Sequence, residues 1–174
     1  MKKDIILISA IADNNIIGLN GKIPWHTDKE MEIARKADMT HFKALTMGNP
    51  VIIGRKTFDK SIPSKFKPLK GRLNIILTQN YRWESEGVTI ARDMIEAISI
   101  AQGYGDRIYV AGGQKVYGQT IDIADFLEIT EIHKEYTGDA FFPEIKRGIW
   151  QELQRQDFHD LRYSFVTYKR IKSP

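Results

Sequence analysis

Short apolar runs recur along the chain: "IILISAIA" (5–12), "PVIIG" (50–54), "LNIILT" (73–78), "GVTIA" (87–91), "RIYVAGG" (107–113) and "FLEITEIH" (126–133). Several are β-branched and apolar at both odd and even positions, which predicts strands buried on both faces, as in a parallel sheet. Between them the pattern takes a helical period. "DMTHFKALTMG" ends on Gly48, a common helix stop; "ARDMIEAISIAQ" puts Met94, Ile95, Ile98 and Ala101 on one face; "GGQKVYGQTI" follows a strand directly. Strand–helix–strand alternation calls for right-handed crossovers. The tail differs: "WQELQRQDFHD" and "LRYSFVTYKRI" alternate around a turn and predict an antiparallel edge hairpin. No internal repeat, low-complexity tract or linker interrupts this order. The expected fold is one α/β domain over residues 1–174, with a central twisted, mostly parallel sheet, an antiparallel C-terminal hairpin, and helices on both faces.

Composition narrows the functional classes. A length of 174 residues suits one domain, and 42% apolar residues suffice for a core. The formal charge of +4 is spread out, with no run of five or six Lys/Arg, so neither nucleic acid nor a membrane surface is implied. It would still help recruit a small anion. The absence of cysteine excludes disulfides, thiolate metal sites and a cysteine nucleophile, and fits a reducing, cytoplasmic setting. The start, "MKKDIILISAIA", has charge followed by apolar residues, but the run is short and leads into "DNNIIG", so it reads as a first strand rather than a signal peptide. No stretch approaches the ~20 apolar residues of a membrane span. His26, His41, His133 and His159 are scattered, without HxxxH or carboxylates at ligand spacing, so no metal is expected. No nucleophile elbow for Ser/His/Asp hydrolysis is present.

One charge breaks the pattern. In "RKADMTHFKAL" (35–45), Phe42 lies one helical turn beyond Asp38, Leu45 continues the row, and Ala34 and Met31 extend it backwards. Asp38 therefore points where the apolar residues point. An unpaired buried carboxylate is costly and tends to protonate. Two accounts stay open: an N-cap, or a carboxylate on a pocket floor, its two oxygens matched to two parallel N–H donors of a planar ligand. Upstream, "GLNGKIPWH" (18–26) is a Gly/Pro loop holding Ile23 and Trp25, which either tuck against the core or form a lid that excludes water. Farther on, Gly112 and Gly113 in "VAGGQKVY", and Gly54 to Thr57 in "GRKTF", stand between strands and helices, where backbone can approach a phosphate. Each is weak evidence alone, since tight turns and solvated helix ends use the same residues. The GxGxxG fingerprint is absent.

Taken in order, "IIGLNGKIPWH", "ADMTHFKALTMGNPVIIGRKTF", "PLKGRLNIILT", "VAGGQKVY" and "GDAFFP" resemble the dihydrofolate reductase family over nearly the whole chain. The resemblance implies NADPH-dependent reduction of dihydrofolate to tetrahydrofolate for one-carbon metabolism, sensitivity to antifolates, and a monomer. Asp38 matches the helix carboxylate that binds the 2-amino and N3 positions of the pterin while N5 takes a proton from water. Thr130 matches the threonine bonded to that carboxylate, often through water. Ile23 would cover the nicotinamide, Trp25 would support the pterin end, and Gly138 and Asp139 would pin this lid in one state. For the substrate, the resemblance implies Ile8, Ser9, Ala10 and Ala111 around the pterin. Met39 and Phe42 would contact the pterin and benzoyl ring, Ile62 and Leu69 would clamp the benzoyl ring, and Arg72 would fork onto the glutamate α-carboxylate. For NADPH it implies Ala10 and Ile17 as contacts, Gly112 and Gly113 (often joined by a cis peptide) at the nicotinamide and pyrophosphate, Gln114, Lys115 and Val116 along the pyrophosphate, and Tyr117 at the nicotinamide–pterin junction. Gly54, Arg55, Lys56 and Thr57, with Thr78, Gln79 and Arg92 opposite, would form the 2′-phosphate pocket.

The chain departs from the family pattern at one place. The family carboxylate follows the Pro-Trp tryptophan by about five residues, which here lands on Glu30; Asp38 comes about eight residues later. Either the segment near 27–37 is an insert before a catalytic Asp38, or Glu30 is catalytic and the insert follows it. Inserts in surface loops cost little. The continuous match through "HFKALTMGNPVIIGRKTF" favours Asp38. "TDKE" reads as a capping box of Thr27 with Glu30, so the insert would add turns of helix and reshape the pocket entrance. Two other functions stay open: a reductase of the same fold acting on a pyrimidine riboside phosphate, and a non-catalytic nucleotide or folate binder.

Overall fold

The computed structural model describes residues 2–171. Ten strands and four α-helices alternate along them: β1 Ile5–Ala12, β2 Ile16–Gly18, α1 Glu32–Thr46, β3 Pro50–Gly54, α2 Arg55–Ser61, β4 Leu73–Leu77, β5 Thr89–Ala91, α3 Met94–Gln102, β6 Ile108–Val110, α4 Gln114–Thr120, β7 Phe126–Ile132, β8 Ala140–Phe141, β9 Trp150–Phe158 and β10 Tyr163–Arg170. Eight strands form one sheet in the order β5-β4-β3-β6-β1-β7-β10-β9. Neighbours from β5 to β7 pair in parallel, whereas β10 pairs antiparallel with both β7 and β9. The expected parallel sheet and C-terminal hairpin are therefore both present.

Both parities of the central strands are buried, as the apolar runs require. Ile5, Leu7, Ile52, Ile75 and Val110 pack on one face with Ala97 and Ala101 of α3 and Val116 and Tyr117 of α4. Ile6, Ile8, Val51, Ile53 and Tyr109 pack on the other with Phe58 of α2 and Phe42 and Leu45 of α1. Edge strand β9 has no second apolar layer to meet, and Gln151 to Asp157 are exposed. Element ends differ from the sequence reading mostly where the backbone turns toward the cleft: β6 stops at Val110, releasing Ala111 to Gly113 from the ladder, and β4 stops at Leu77.

The segment 27–37 corrects two expectations. It is not a surface loop of low cost, because Met31 and Ala34 are 0% exposed and pack with Trp25, Ile132 and Tyr163. Nor is there a Thr27–Glu30 capping box. Thr27 closes a 3-10 turn with Pro24, and the cap is Asp28, whose carboxylate accepts from the Glu30 N–H at 3.0 Å. α1 then starts at Glu32, six residues before Asp38, so Asp38 lies inside the helix and is not its N-cap.

Candidate active site

A cleft of about 1970 Å³ opens along the C-terminal ends of the parallel strands, where ligands of open α/β sheets bind. Single small-molecule pockets run about 300–1,000 Å³, so this one has room for two extended molecules side by side. Ten Lys and Arg side chains line it against three aspartates. The chain's modest positive charge is thus concentrated at the site, a field suited to polyanionic ligands.

Asp38 stands on the floor. α1 presents Asp38, Met39 and Phe42 to the cleft, opposite Ile8, Ser9 and Ala10 of β1. Thr130 of β7 is buried and donates its hydroxyl directly to Asp38 Oδ1 at 2.7 Å. The carboxylate is packed round by protein and meets solvent only through the cleft. Burial raises its pKa to about 6, and the Thr130 hydrogen bond offsets only part of that rise. Oδ2 has no hydrogen bond from the described residues, so the group keeps accepting capacity directed at a ligand. Glu30 is elsewhere. It is exposed outside the cleft, and its carboxylate meets Lys134 Nζ and Arg162 Nη1, each at 3.2 Å.

The loop between β2 and α1 covers one side. Ile23 and Trp25 line the cleft, and Trp25 is 1% exposed because its ring packs on Tyr136 at a centroid separation of 5.5 Å. The loop is tied down along its length. Asp139 accepts from the Asn20 N–H at 3.0 and 3.1 Å and donates its own N–H to the Gly18 carbonyl at 2.9 Å. Gly138 has to be glycine here, since a Cβ would sit 2.4 Å from Ile16 Cγ2. At the far end, Asp28 accepts from Lys134 Nζ and Tyr136 Oη, both at 2.7 Å. These bonds hold the Asp28 carboxyl below its usual range.

The opposite wall is built around glycines. Gly54 N–H donates to the Gly112 carbonyl at 2.7 Å, joining the ends of β3 and β6. The Gly112–Gly113 peptide is cis, and Gly112 has φ +91°. A Cβ on Gly54 would lie 3.0 Å from Val116 Cγ2, and one on Gly113 would lie 2.8 Å from Thr57 Oγ1. A side chain would therefore be crowded where the two helices start. Tyr117 is buried and donates to the Ile8 carbonyl at 2.7 Å, bracing β1 against α4; burial raises its pKa. Lys56 and Lys115 are exposed at the rim, and Arg55 is partly neutralised by Asp59 at 3.0 Å. Arg92 bonds the carbonyls of Thr78 and Asn80 at 3.2 and 3.0 Å, closing the wall where Gln79 is exposed. Gln114 turns aside to accept from the Phe141 N–H at 2.8 Å.

At the other mouth, buried Asn74 ties down the 69–72 turn by bonding Leu69 N–H, Leu69 O and Arg72 O. That turn places Leu69 and Ile62 in the cleft and aims Arg72, whose Nη1 donates to Thr46 Oγ1 at 3.2 Å. No carboxylate among the described residues pairs with Arg72. Burial pulls its pKa down, so an anionic partner would be welcome there.

The residues singled out from the sequence line the cleft except Thr130, which reaches it through Asp38, Gly112, which supports it through Gly54, Gly138, which lies behind the loop beside Asp139, and the alternative carboxylate Glu30. Several lining residues escaped the sequence reading. Arg35 shares a helix face with Asp38 three positions on, and Lys43 follows Met39 by four, so helical spacing could have revealed both. The Asp28–Lys134–Tyr136 contact joins residues more than one hundred apart and has no local signal.

Strands covered on both faces, a carboxylate floor, and a glycine wall at the crest of the sheet define an α/β protein with a two-ligand cleft. Residues 4–170 match the family model for dihydrofolate reductase. The chain is 37% identical to dihydrofolate reductase type 3 of Salmonella typhimurium over 95% of this chain and 98% of that protein. It is 38% identical to dihydrofolate reductase of Neisseria meningitidis, with the same shares covered. The dihydrofolate reductase of Enterococcus faecalis, solved with NADP(H) and RAB-propyl, superposes with a TM-score of 0.83 at 29% identity, covering 99% of each chain. This chain belongs to the dihydrofolate reductase family.

Proposed function

We propose that the protein reduces 7,8-dihydrofolate to 5,6,7,8-tetrahydrofolate with NADPH, and that Asp38 is the carboxylate that grips the pterin. NADPH supplies a hydride to C6 of the substrate, and N5 gains a proton. The observation that carries the reading is Asp38: a carboxylate anchored by Thr130 through one oxygen, with the other turned to a cleft large enough for two molecules. Its two oxygens suit the 2-amino and N3 edge of a pterin. Its negative charge, costly when the cleft is bare, is relieved by that polarised ring and raises the proton affinity of N5, which water protonates. Ile8 and Ala111 support the ring face, Met39 and Phe42 cover it, and Ile62 and Leu69 hold the benzoyl group. Arg72 takes the α-carboxylate as a bidentate partner.

The residues on the other side fit a phosphorylated nicotinamide nucleotide. Gly54 and Gly113, where a Cβ would crowd Val116 and Thr57, let backbone approach the pyrophosphate, while Arg55, Lys56 and Arg92 stand where a 2′-phosphate would select NADPH over NADH. Ile17, Ala10, Ile23 and Tyr117 enclose the reacting end and exclude water. Action as a monomer is part of this reading. Among the described residues no helix is long and apolar enough to cross a membrane, and a cysteine-free chain suits the cytoplasm.

The test is NADPH oxidation, followed at the nicotinamide absorbance, with dihydrofolate offered beside a pyrimidine riboside phosphate. Turnover on dihydrofolate alone, with tetrahydrofolate recovered, is expected. Turnover only on the pyrimidine, or binding of both ligands without oxidation, would overturn the reading.

A further inference from the structure

The four histidines look unrelated in the sequence, yet the fold brings two of them together outside the residues that line the cleft. His133 follows β7, and His159 begins the turn between β9 and β10. Their rings lie 6.2 Å apart between centroids. Asp157, on β9, lies beside both, and one donor atom from each of His133, Asp157 and His159 can be chosen so that all three fall within 4.8 Å of one another. We propose that these three residues form a binding site for a borderline divalent transition ion of the zinc class.

Geometry and chemistry support the assignment. Three donors at the corners of a 4.8 Å triangle surround a centre about 2.8 Å from each, and zinc bonds to imidazole nitrogen and carboxylate oxygen run about 2.0–2.2 Å. Each donor therefore has to move in by about 0.7 Å. His159 is 78% exposed and can swing without disturbing packing. Asp157 is already positioned, whereas His133 has to exchange one hydrogen bond for the ion. Ser164, 0% exposed, donates to Asp157 Oδ1 at 2.5 Å, leaving Oδ2 turned toward His159 Nε2 at 3.8 Å. His133 has Nε2 2.7 Å from Ser164 Oγ and Nδ1 3.8 Å from Asp13 Oδ1. Because the Ser164 hydroxyl proton goes to Asp157, Nε2–H of the ligand-free ring donates to Ser164 Oγ. In the metal-bound state Nε2 gives up that bond for the ion, and the neutral ring takes the Nδ1–H tautomer. A small ring shift brings Nδ1–H from 3.8 Å onto Asp13, the carboxylate–histidine–metal relay that fixes tautomer and ring orientation. Two imidazoles and one carboxylate favour zinc, copper(II) or nickel(II) over the hard, oxygen-seeking calcium and magnesium.

The surrounding charge permits it. Arg155 stands 3.4 Å from Asp157 Oδ1, but its guanidinium is engaged by Glu131 at 2.6 Å and Glu152 at 2.9 Å. An ion here would bridge the end of β7 to the β9–β10 turn. The same turn carries Arg162, which reaches Glu30 in the 27–37 segment. The site is therefore placed to stiffen that corner rather than to enter the chemistry.

The experiment is calorimetric titration of the untagged full chain with zinc chloride, paralleled by cobalt(II) titration read in its visible absorption band. One ion per chain is expected. His159→Gln and His133→Gln should each weaken binding at least about tenfold, and Asp13→Asn about 10–100-fold through the histidine it orients. His41→Gln, whose ring stacks on Phe165 outside the cluster, should leave binding unchanged. Because His159 is exposed, its variant folds, and a melting curve without metal verifies this. Absence of saturable binding, or wild-type affinity in His159→Gln, would overturn the site.

Discussion

Replacing Asp38 by asparagine should make the protein more stable while disabling it. The native carboxyl has a pKa of about 6 against the ordinary 3.8. A shift of about two units corresponds to about 3 kcal/mol, and solvent in the cleft trims this to about 2–3 kcal/mol. The sign follows from proton counting. Below about pH 4 both folded and unfolded chains hold the proton, and the group contributes nothing. Between about pH 4 and pH 6 the unfolded chain releases it first, the native state binds more protons, and stability falls as pH rises. Above about pH 6 the full penalty is present. Asparagine keeps an oxygen to accept from Thr130 and carries no charge, so it escapes the penalty. Urea unfolding of the ligand-free protein should show the variant gaining about 2–3 kcal/mol at pH 8, about 4–12 °C in Tm, with the gain vanishing toward pH 4. A variant equal to or weaker than wild type at pH 8 would show that the carboxylate is well solvated and would refute the desolvated floor on which the site depends.

Arg72→Gln should raise KM for dihydrofolate by about 10–100-fold, consistent with losing a charge-assisted pair worth about 1.5–3 kcal/mol, and leave KM for NADPH unchanged; steady-state kinetics with each substrate varied checks this. Tyr136→Phe removes one of the two side-chain bonds to Asp28 and should lower stability by about 1–2 kcal/mol at unchanged urea slope. Measured beside it, Asp28→Asn should shift the urea midpoint the same way.

The sheet was readable because its strands are buried on both faces, and that burial writes itself into short runs such as "PVIIG" and "LNIILT". The hairpin was readable because β10 keeps a buried face, as its burial pattern shows. Asp38 was readable because a charge in an apolar helix stripe demands a partner. What escaped was long-range. Nothing near Thr27 or Asp28 says which of them caps the turn, because Asp28 is chosen by Lys134 and Tyr136 from another part of the chain. The segment 27–37 read as a low-cost insert because Met31 and Ala34 find their cover in Ile132 and Tyr163, far along the sequence. His133 and His159 looked scattered for the same reason: a strand pairing brings them together.

The most direct measurement is the single-turnover rate of dihydrofolate reduction in Asp38→Asn and Glu30→Gln, with NADPH affinity determined in parallel. Asp38→Asn should lose at least about two orders of magnitude in rate, the scale of a positioned acid–base or electrostatic group, with NADPH affinity intact and Glu30→Gln close to wild type. An active Asp38→Asn beside an inactive Glu30→Gln would place the pterin carboxylate at position 30 and contradict the account.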